Sequence, residues 1–389
     1  MSIISNSERN ALLERFISYV KIWTTSDSNA ADSGIQPSTE RQFDLAHLLE
    51  KQLTELGLHN VQLTDHCYVY GCLPANDGTT EPQLCLLAHM DTVEECSGKD
   101  IEHVLTEKDG DLIISTDGST LLGADDKAGV AEIMEAVTCL VNHPELKHGT
   151  IEICFSPDEE TGHGMDNVPL NLIKSKQAYT VDGGSLGELE TECFNAFKSE
   201  VTFSGKSTHT GTARAEGMVN AAVMASSFAA SLPRHEAPET TDNYQGFFAL
   251  MDISGSVESS KVTIFLRDFT SEGMENRKAL VDQLASSTAR TFGGTVKVVH
   301  TEQYKNMKTG LEKSPATVSA LVEAYKKAGV EPVFVPIRGG TDGSRLTEMG
   351  IPCPNIFTGG HNFHSREEWA SLNEMEKVVE ILIYLISKK

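Results

Sequence analysis

Apolar residues recur along this chain with two different periods, and the alternation of those periods lays out its architecture. Leu12, Leu13, Phe16, Ile17 and Val20 fall at helical spacing over 8–22, and Leu45, Leu48, Leu49, Leu53 and Leu56 repeat the pattern over 41–57, so two amphipathic helices open the protein. The run 84–87 is short and wholly apolar. It ends at Ala88-His89-Met90-Asp91 and reads as a buried strand that delivers polar groups from its carboxyl end. A turn-rich stretch comes next. Val130, Ile133, Met134, Val137 and Val141 then mark one face of a helix that begins near Asp125 and Asp126, where free amides favour anionic groups. The runs 150–155 and 178–181 are again strand-like and again run into acids. Strands alternating with helices in this way predict an α/β domain with a largely parallel sheet.

The rhythm changes between about 195 and 306. That stretch reads as a strand, a small-residue helix over 218–232, a strand at 262–266, a helix over 274–292 and a strand at 296–300, with no acids leaving the strand ends. We read it as an inserted, smaller α+β domain, with 1–194 and 307–389 forming one discontinuous α/β domain. The α/β pattern resumes with a helix over 315–328, strands at 333–337 and 356–357, and a closing helix over 374–386. Two domains also suit the length, since 389 residues exceed what one hydrophobic core ordinarily serves.

Charge narrows the partners. With 32 basic against 56 acidic residues and a net charge of -24, neither a nucleic-acid backbone nor an anionic membrane surface is an expected partner. No long uncharged apolar stretch occurs, and residues 1–8 show no basic segment leading into an apolar one. The eight cysteines lack C-x-x-C spacing, as expected of reduced, packed thiols. Together these features lead us to expect a cytoplasmic protein.

The chemistry gathers at strand ends. Ligand sites of open α/β sheets lie beyond the carboxyl ends of the strands, and here those ends supply His89, Asp91, Asp125, Glu159, Glu160 and Asp182, with His364 coming after a later apolar strand. An acidic doublet such as Glu159-Glu160 is ordinarily a solvated turn, and a lone His89 or His364 an ordinary histidine. Seven such groups at one rim are a different matter. Imidazole nitrogen mixed with carboxylate oxygen, and without thiolate, suits zinc or a similar divalent ion rather than a structural zinc knot. One bridging carboxylate would allow two ions to share a water and a carbonyl, the logic of two-metal hydrolases. The glycine-rich 339–343 loop lacks the Gly-Lys-Ser/Thr ending of a phosphate cradle.

His89-Met90-Asp91-Thr92, Gly123-Ala124-Asp125-Asp126-Lys127-Ala128-Gly129, Asp158-Glu159-Glu160-Thr161-Gly162, Thr180-Val181-Asp182-Gly183-Gly184 and His364 occur in the order found in the zinc-dependent exopeptidases, the family that includes carboxypeptidase G and aminoacylase. The chain resembles that family nearly end to end. Ser207-Thr208-His209, Leu266-Arg267-Asp268-Phe269 and Ile337-Arg338-Gly339-Gly340-Thr341-Asp342-Gly343 resemble its tripeptide aminopeptidases in particular.

The resemblance implies two Zn2+ per chain, replaceable by Co2+ or Mn2+. Asp125 would bridge them, His89 and Asp182 would complete one site, and Glu160 and His364 the other. It implies Glu159 as general base, Asp91 as the carboxylate fixing the His89 imidazole, and a cis peptide after the bridging Asp. His209, supplied by the smaller domain of a partner subunit, would donate to the oxyanion. Arg267 and Arg338 would bind the carboxylate of a short peptide substrate, unless they pair instead with Asp268 and Asp342. The resemblance also makes 1–194 and 307–389 the zinc-binding catalytic domain and 195–306 the inserted lid or dimerisation domain, through which a homodimer is implied.

Two departures stand out. The chain has His209-Thr210-Gly211 where those tripeptide aminopeptidases usually have His-Pro-Gly, and its 92–124 segment is shorter than expected of them, which bears on the tripeptide preference more than on hydrolysis. The expected activity is release of the N-terminal residue from short peptides, tripeptides first. The alternatives are a dipeptidase, an N-acyl amino acid amidohydrolase, or a relative that kept the fold as a binding protein without turnover.

Overall fold

The computed structural model describes residues 3–387. The chain divides into two compact units, one of Met1–Thr191, Met307–Val335 and Gly340–Lys389, the other of Glu192–Asn306 and Pro336–Gly339.

The first unit is built on an eight-stranded sheet. Its order is His59–Leu63, Val69–Leu73, Thr150–Ser156, Pro82–His89, Ala178–Gly183, Asn355–Phe357, Glu188–Cys193 and Val333–Ile337. Pro82–His89 runs parallel to both Thr150–Ser156 and Ala178–Gly183, and Ala178–Gly183 runs parallel to Asn355–Phe357; antiparallel pairs flank this centre. Register then sets which side chains share a level. His89 lies opposite Ser156, and Leu87 lies opposite Thr180, so His89 and Asp182 leave neighbouring strands together.

The helices Asn6–Val20, Gln42–Glu55, Ala124–Asn142 and Leu372–Ile386 bury Phe16, Leu45, Leu49, Ile133, Met134, Val137, Val379 and Leu382 in the core that supports the sheet. Ala124–Asn142 comes so close to the sheet that a Cβ on Gly129 would lie 1.9 Å from the Val181 carbonyl oxygen, so only glycine fits there.

The stretch read from sequence as turns hides a further sheet. His103–Lys108 and Asp111–Thr116 form a hairpin that joins Trp369–Ser371 and Gly360–His361 in four antiparallel strands. Asp109 and Gly110 both take positive φ, 52° and 82°, as a two-residue primed turn requires. The Asp-Gly pair was the available signal. Because His103–Lys108 is mostly exposed, it lacks the apolar alternation that would have marked it as a strand.

The second unit is a four-stranded antiparallel sheet ordered Phe247–Gly255, Ser259–Asp268, Asn195–Ser204 and Thr295–Tyr304. Ala221–Ser231 and Ser271–Phe292 cover one face, packing Met224, Phe228, Val281 and Ala285 against Val201, Phe203, Val262 and Ile264. The first of these helices starts later than its apolar pattern suggested. Asn220 stands outside it and caps it by accepting from the Val223 amide at 3.2 Å. All eight cysteines are buried and unbridged. No helix among the described residues is long and apolar enough to cross a membrane.

Candidate metal centre

Five segments converge at the carboxyl ends of the parallel strands, one of them bringing His364 from just after Gly360–His361. His89 ends its strand with the ring buried, and Asp182 leaves the neighbouring strand. Asp125 sits at the non-helical start of Ala124–Asn142, with a cis peptide linking it to Asp126. Glu159 and Glu160 form a tight turn just after Thr150–Ser156.

Asp158 shows how that turn is aimed. It takes a left-handed φ of 58°, and its carboxylate points away from the two glutamates, accepting from the Ser38 amide at 2.8 Å and from Gln42 Nε2 at 2.7 Å. Asp91 holds the turn from the other side, its two oxygens accepting from the amides of Glu159 at 3.0 Å and Glu160 at 3.3 Å.

The side chains meet as two triads that share one residue. His89 Nε2 lies 3.0 Å from Asp125 Oδ1 and 3.4 Å from Asp182 Oδ1. On the other side of the same carboxylate, His364 Nε2 lies 3.1 Å from Asp125 Oδ2 and 3.2 Å from Glu160 Oε2. In each triad, His89-Asp125-Asp182 and Asp125-Glu160-His364, the potential ligand atoms all lie within 4.8 Å of one another, a spacing that could hold a metal ion. Glu159 reaches in beside them, its Oε2 3.9 Å from His89 Nε2. The far nitrogen of the His89 ring faces Asp91, 3.2 Å from its backbone carbonyl and 3.4 Å from its carboxylate.

The donor set suits divalent cations. Burial, then the Asp125 charge, pushes Glu160 up to about 8, and burial likewise lifts Asp182 to about 6. Glu159 is raised well above the usual carboxylate range, by burial first and the Asp182 charge second. His364 is pushed up to about 11 by its hydrogen bonds with Asp125 and Glu160. Burial works against a charged His89, but the Asp182 charge and its carboxylate contacts raise it well above the ordinary imidazole value. Crowded, desolvated carboxylates of this kind hold protons only for want of other positive charge, and a metal ion inverts that balance. Glu160 Oε1, moreover, is buried with no hydrogen-bond partner. A buried, unsatisfied oxygen on a residue of the cluster is what a missing ligand bond would leave behind.

Known proteins carry the same arrangement of sequence and fold. The sequence profile of peptidase family M20/M25/M40 matches residues 85–388. The chain belongs to that family. The peptidase T of Clostridium perfringens strain SM101 is 43% identical over 399 residues, covering 96% of this chain and 97% of its own length. The peptidase T of Geobacillus kaustophilus is 42% identical over 406 residues, with 97% and 98% covered. Among solved structures, aminopeptidase PepT from Bacillus cereus superposes with a TM-score of 0.79 at 26% identity, over 97% of this chain and 98% of that one. A tripeptidase from Staphylococcus aureus shares the fold, with a TM-score of 0.80 at 21% identity over 97% of each chain. The chain is thus a peptidase, a hydrolase of the M20 family.

Three residues that sequence reasoning left out support the M20 cluster. Asp126, wholly buried, accepts from the His89 amide at 3.1 Å and the Gly129 amide at 3.2 Å. Asn355 Oδ1 accepts from the Asp182 amide at 3.1 Å, while its Nδ2 donates to Glu190 at 2.6 Å. Glu368 grips the backbone that leads into Asp125. Asp126 was visible beside Asp125, but no local pattern gave Asn355 or Glu368 a role, because their partners are distant in the chain.

His209, Arg267 and Arg338 belong to the second unit. His209 is exposed, and its Nδ1 accepts from the Gly211 amide at 3.1 Å, which places the proton of the neutral ring on Nε2. Arg267 lies over the rings of Phe265 and Tyr304 and donates to Gln303 at 3.0 Å. Arg338 donates from Nη1 to the carbonyls of Asn243 at 2.7 Å and Gln245 at 2.8 Å, and from Nη2 to Thr241 Oγ1 at 2.9 Å. Asp268 is paired with Arg277 at 2.9 Å, and Asp342 is hydrogen-bonded to Ser156.

Proposed function

We propose that this M20 peptidase is a two-zinc aminopeptidase that releases the N-terminal residue of short peptides, tripeptides first. The observation that carries the reading is the sharing of Asp125 between two triads, one carboxylate oxygen turned to each. The names and activities of the relatives point the same way. His89, Asp125 and Asp182 would hold one cation, and Asp125, Glu160 and His364 the other. Bound divalent cations supply Lewis acidity, lowering the pKa of a water and polarising a carbonyl.

The remaining work falls to the chain's own groups. Glu159 accepts a proton from the attacking water at a carboxylate oxygen and returns it to the leaving amine nitrogen. Asp91 fixes that carboxylate in place through the two amides of the turn and orients the His89 ring. His209, supplied by a partner subunit with Nε2 protonated, is suited to donate to the developing oxyanion. Arg267 offers a guanidinium to the substrate carboxylate. Arg338 is occupied with the 241–245 segment, and its contribution is to fix that segment's shape.

Assembly and location fit the same picture. The edge strand Phe247–Gly255 exposes Leu250, Met251 and Ile253, which supports a homodimer formed through the second unit. Eight unbridged thiols suit the cytoplasm.

The test is a substrate panel of Ala-Ala, Ala-Ala-Ala, Ala-Ala-Ala-Ala and N-acetyl-Ala assayed with added zinc. Ala-Ala-Ala should be cleaved fastest; preference for the blocked substrate would replace the aminopeptidase reading with an acylase one. Absence of bound metal together with chelator-insensitive inertness toward all four would favour a binding protein.

A further inference from the structure

Asp125 can serve two cations only if its carboxylate is held broadside between them. The helix it opens does not hold it, since the backbone there is non-helical, with φ -83° and ψ 104° at Asp125. What does hold it is a segment from the far end of the chain. Glu368 is 2% exposed, and its Oε2 accepts from the amides of Leu122 and Gly123, each at 2.7 Å, while Oε1 accepts from the Asp125 amide at 3.1 Å. Three N–H groups at a helix start, which would otherwise lack partners, thus converge on one carboxylate through charge-assisted bonds. Four residues earlier in the same segment, His364 Nε2 meets Asp125 Oδ2. The segment therefore holds Asp125 at both ends, by backbone and by side chain.

We propose that Glu368 is a positioning residue of the metal centre, fixing the 122–125 backbone so that Asp125 presents one oxygen to the His89 side and the other to the His364 side. The inference rests on the metal-centre reading and adds to it the group that sets the bridge. Glutamine at 368 would keep the shape and lose the fit. One of its two terminal atoms becomes an NH2, so either the Leu122 and Gly123 amides or the Asp125 amide would face a donor instead of an acceptor.

The test strips the full-length protein with a chelator and titrates it with Co2+ and Zn2+, reading stoichiometry and affinity by calorimetry and the Co2+ absorption spectrum. Loss of a partner that orients a metal ligand ordinarily costs about 10- to 100-fold in metal affinity. That loss is expected for Glu368→Gln, with an altered Co2+ spectrum, a lower kcat and a KM within about twofold of wild type. Glu368→Asp, which keeps the charge but is one methylene short, should lie between. A role confined to capping the helix would lower the melting temperature of the metal-free protein yet leave the affinity of the folded fraction unchanged, and that result overturns the proposal.

Should both variants fail to fold, hydrogen exchange on metal-free wild type decides. The Leu122, Gly123 and Asp125 amides should be protected without any ion, and exchange at unstructured rates would refute the hold. If wild type itself loads no divalent ion, the metal-centre reading falls and this inference with it. If wild type loads two and Glu368→Gln loads them equally tightly, only this inference falls.

Discussion

Glu132 offers a sharp test of what burying a carboxyl group costs this fold. It sits in the middle of Ala124–Asn142, wholly buried, and neither of its carboxylate oxygens has a hydrogen-bond partner. Burial alone pushes its pKa well above the usual carboxylate range. An unpartnered buried polar group costs about 1–3 kcal/mol by protein mutational measures. Glu132→Met, similar in length and wholly apolar, should recover about that much where Glu132 is neutral in both folded and unfolded states. With an unfolding entropy of roughly 2.1 cal/mol/K per residue, the gain corresponds to a melting temperature higher by about 1–4 °C.

The pH dependence has a definite sign. Because the folded pKa is raised, stability contributed by the protonated form is fully present below the unfolded value near 4.3 and is lost as pH rises toward the folded one. The advantage of Glu132→Met should therefore grow with pH, by at most about 1.4 kcal/mol per unit. Urea denaturation of both proteins at pH 5.5 and 7.5, at fixed zinc, measures the difference and cancels contributions from other groups. A variant less stable than wild type, or a difference that stays flat between the two pH values, would refute the reasoning and reveal a polar partner for Glu132.

Glu159→Gln should retain both metal ions by elemental analysis while kcat drops about 10²- to 10⁴-fold; near-wild-type turnover would remove Glu159 from proton transfer. Chelation should lower thermal stability, since a ligand at 100 times its Kd stabilises the folded state by about 2.7 kcal/mol, and an unchanged melting temperature on adding EDTA would contradict the metal centre. Asn355→Ala removes the acceptor for the Asp182 amide and should weaken metal affinity about 10-fold in a Co2+ titration, whereas an unchanged titration would assign Asn355 to packing alone. Gly129→Ala drives a methyl group into the Val181 carbonyl and should cost at least about 1–3 kcal/mol in urea denaturation; a neutral effect would mean that the helix can lift from the sheet freely.

Much of this protein was legible in one dimension because its chemistry is strung along local patterns. An apolar strand that runs at once into a polar residue is a statement about neighbours in sequence, so the 84–87 and 150–155 runs announced His89 and Glu159 without any knowledge of the sheet order. The helix periods of 8–22 and 41–57 were equally local, and the observed helices Asn6–Val20 and Gln42–Glu55 match them to within about two residues. The His103–Lys108 and Asp111–Thr116 hairpin escaped notice because its outer strand is exposed and gains its order from pairing rather than from a buried face.

Tertiary structure alone decided how those residues face one another. No spacing rule says that Asp125 turns one oxygen to His89 and the other to His364, 239 positions away, or that Glu368 reaches back to the 122–125 amides. Nor does sequence reveal that Arg338 spends one terminal nitrogen on the carbonyls of Asn243 and Gln245 and the other on Thr241. Periodicity depends on which residues are buried, a property that each residue type carries with it. Coordination and hydrogen bonding depend on distances of about 3 Å between atoms that only folding brings together.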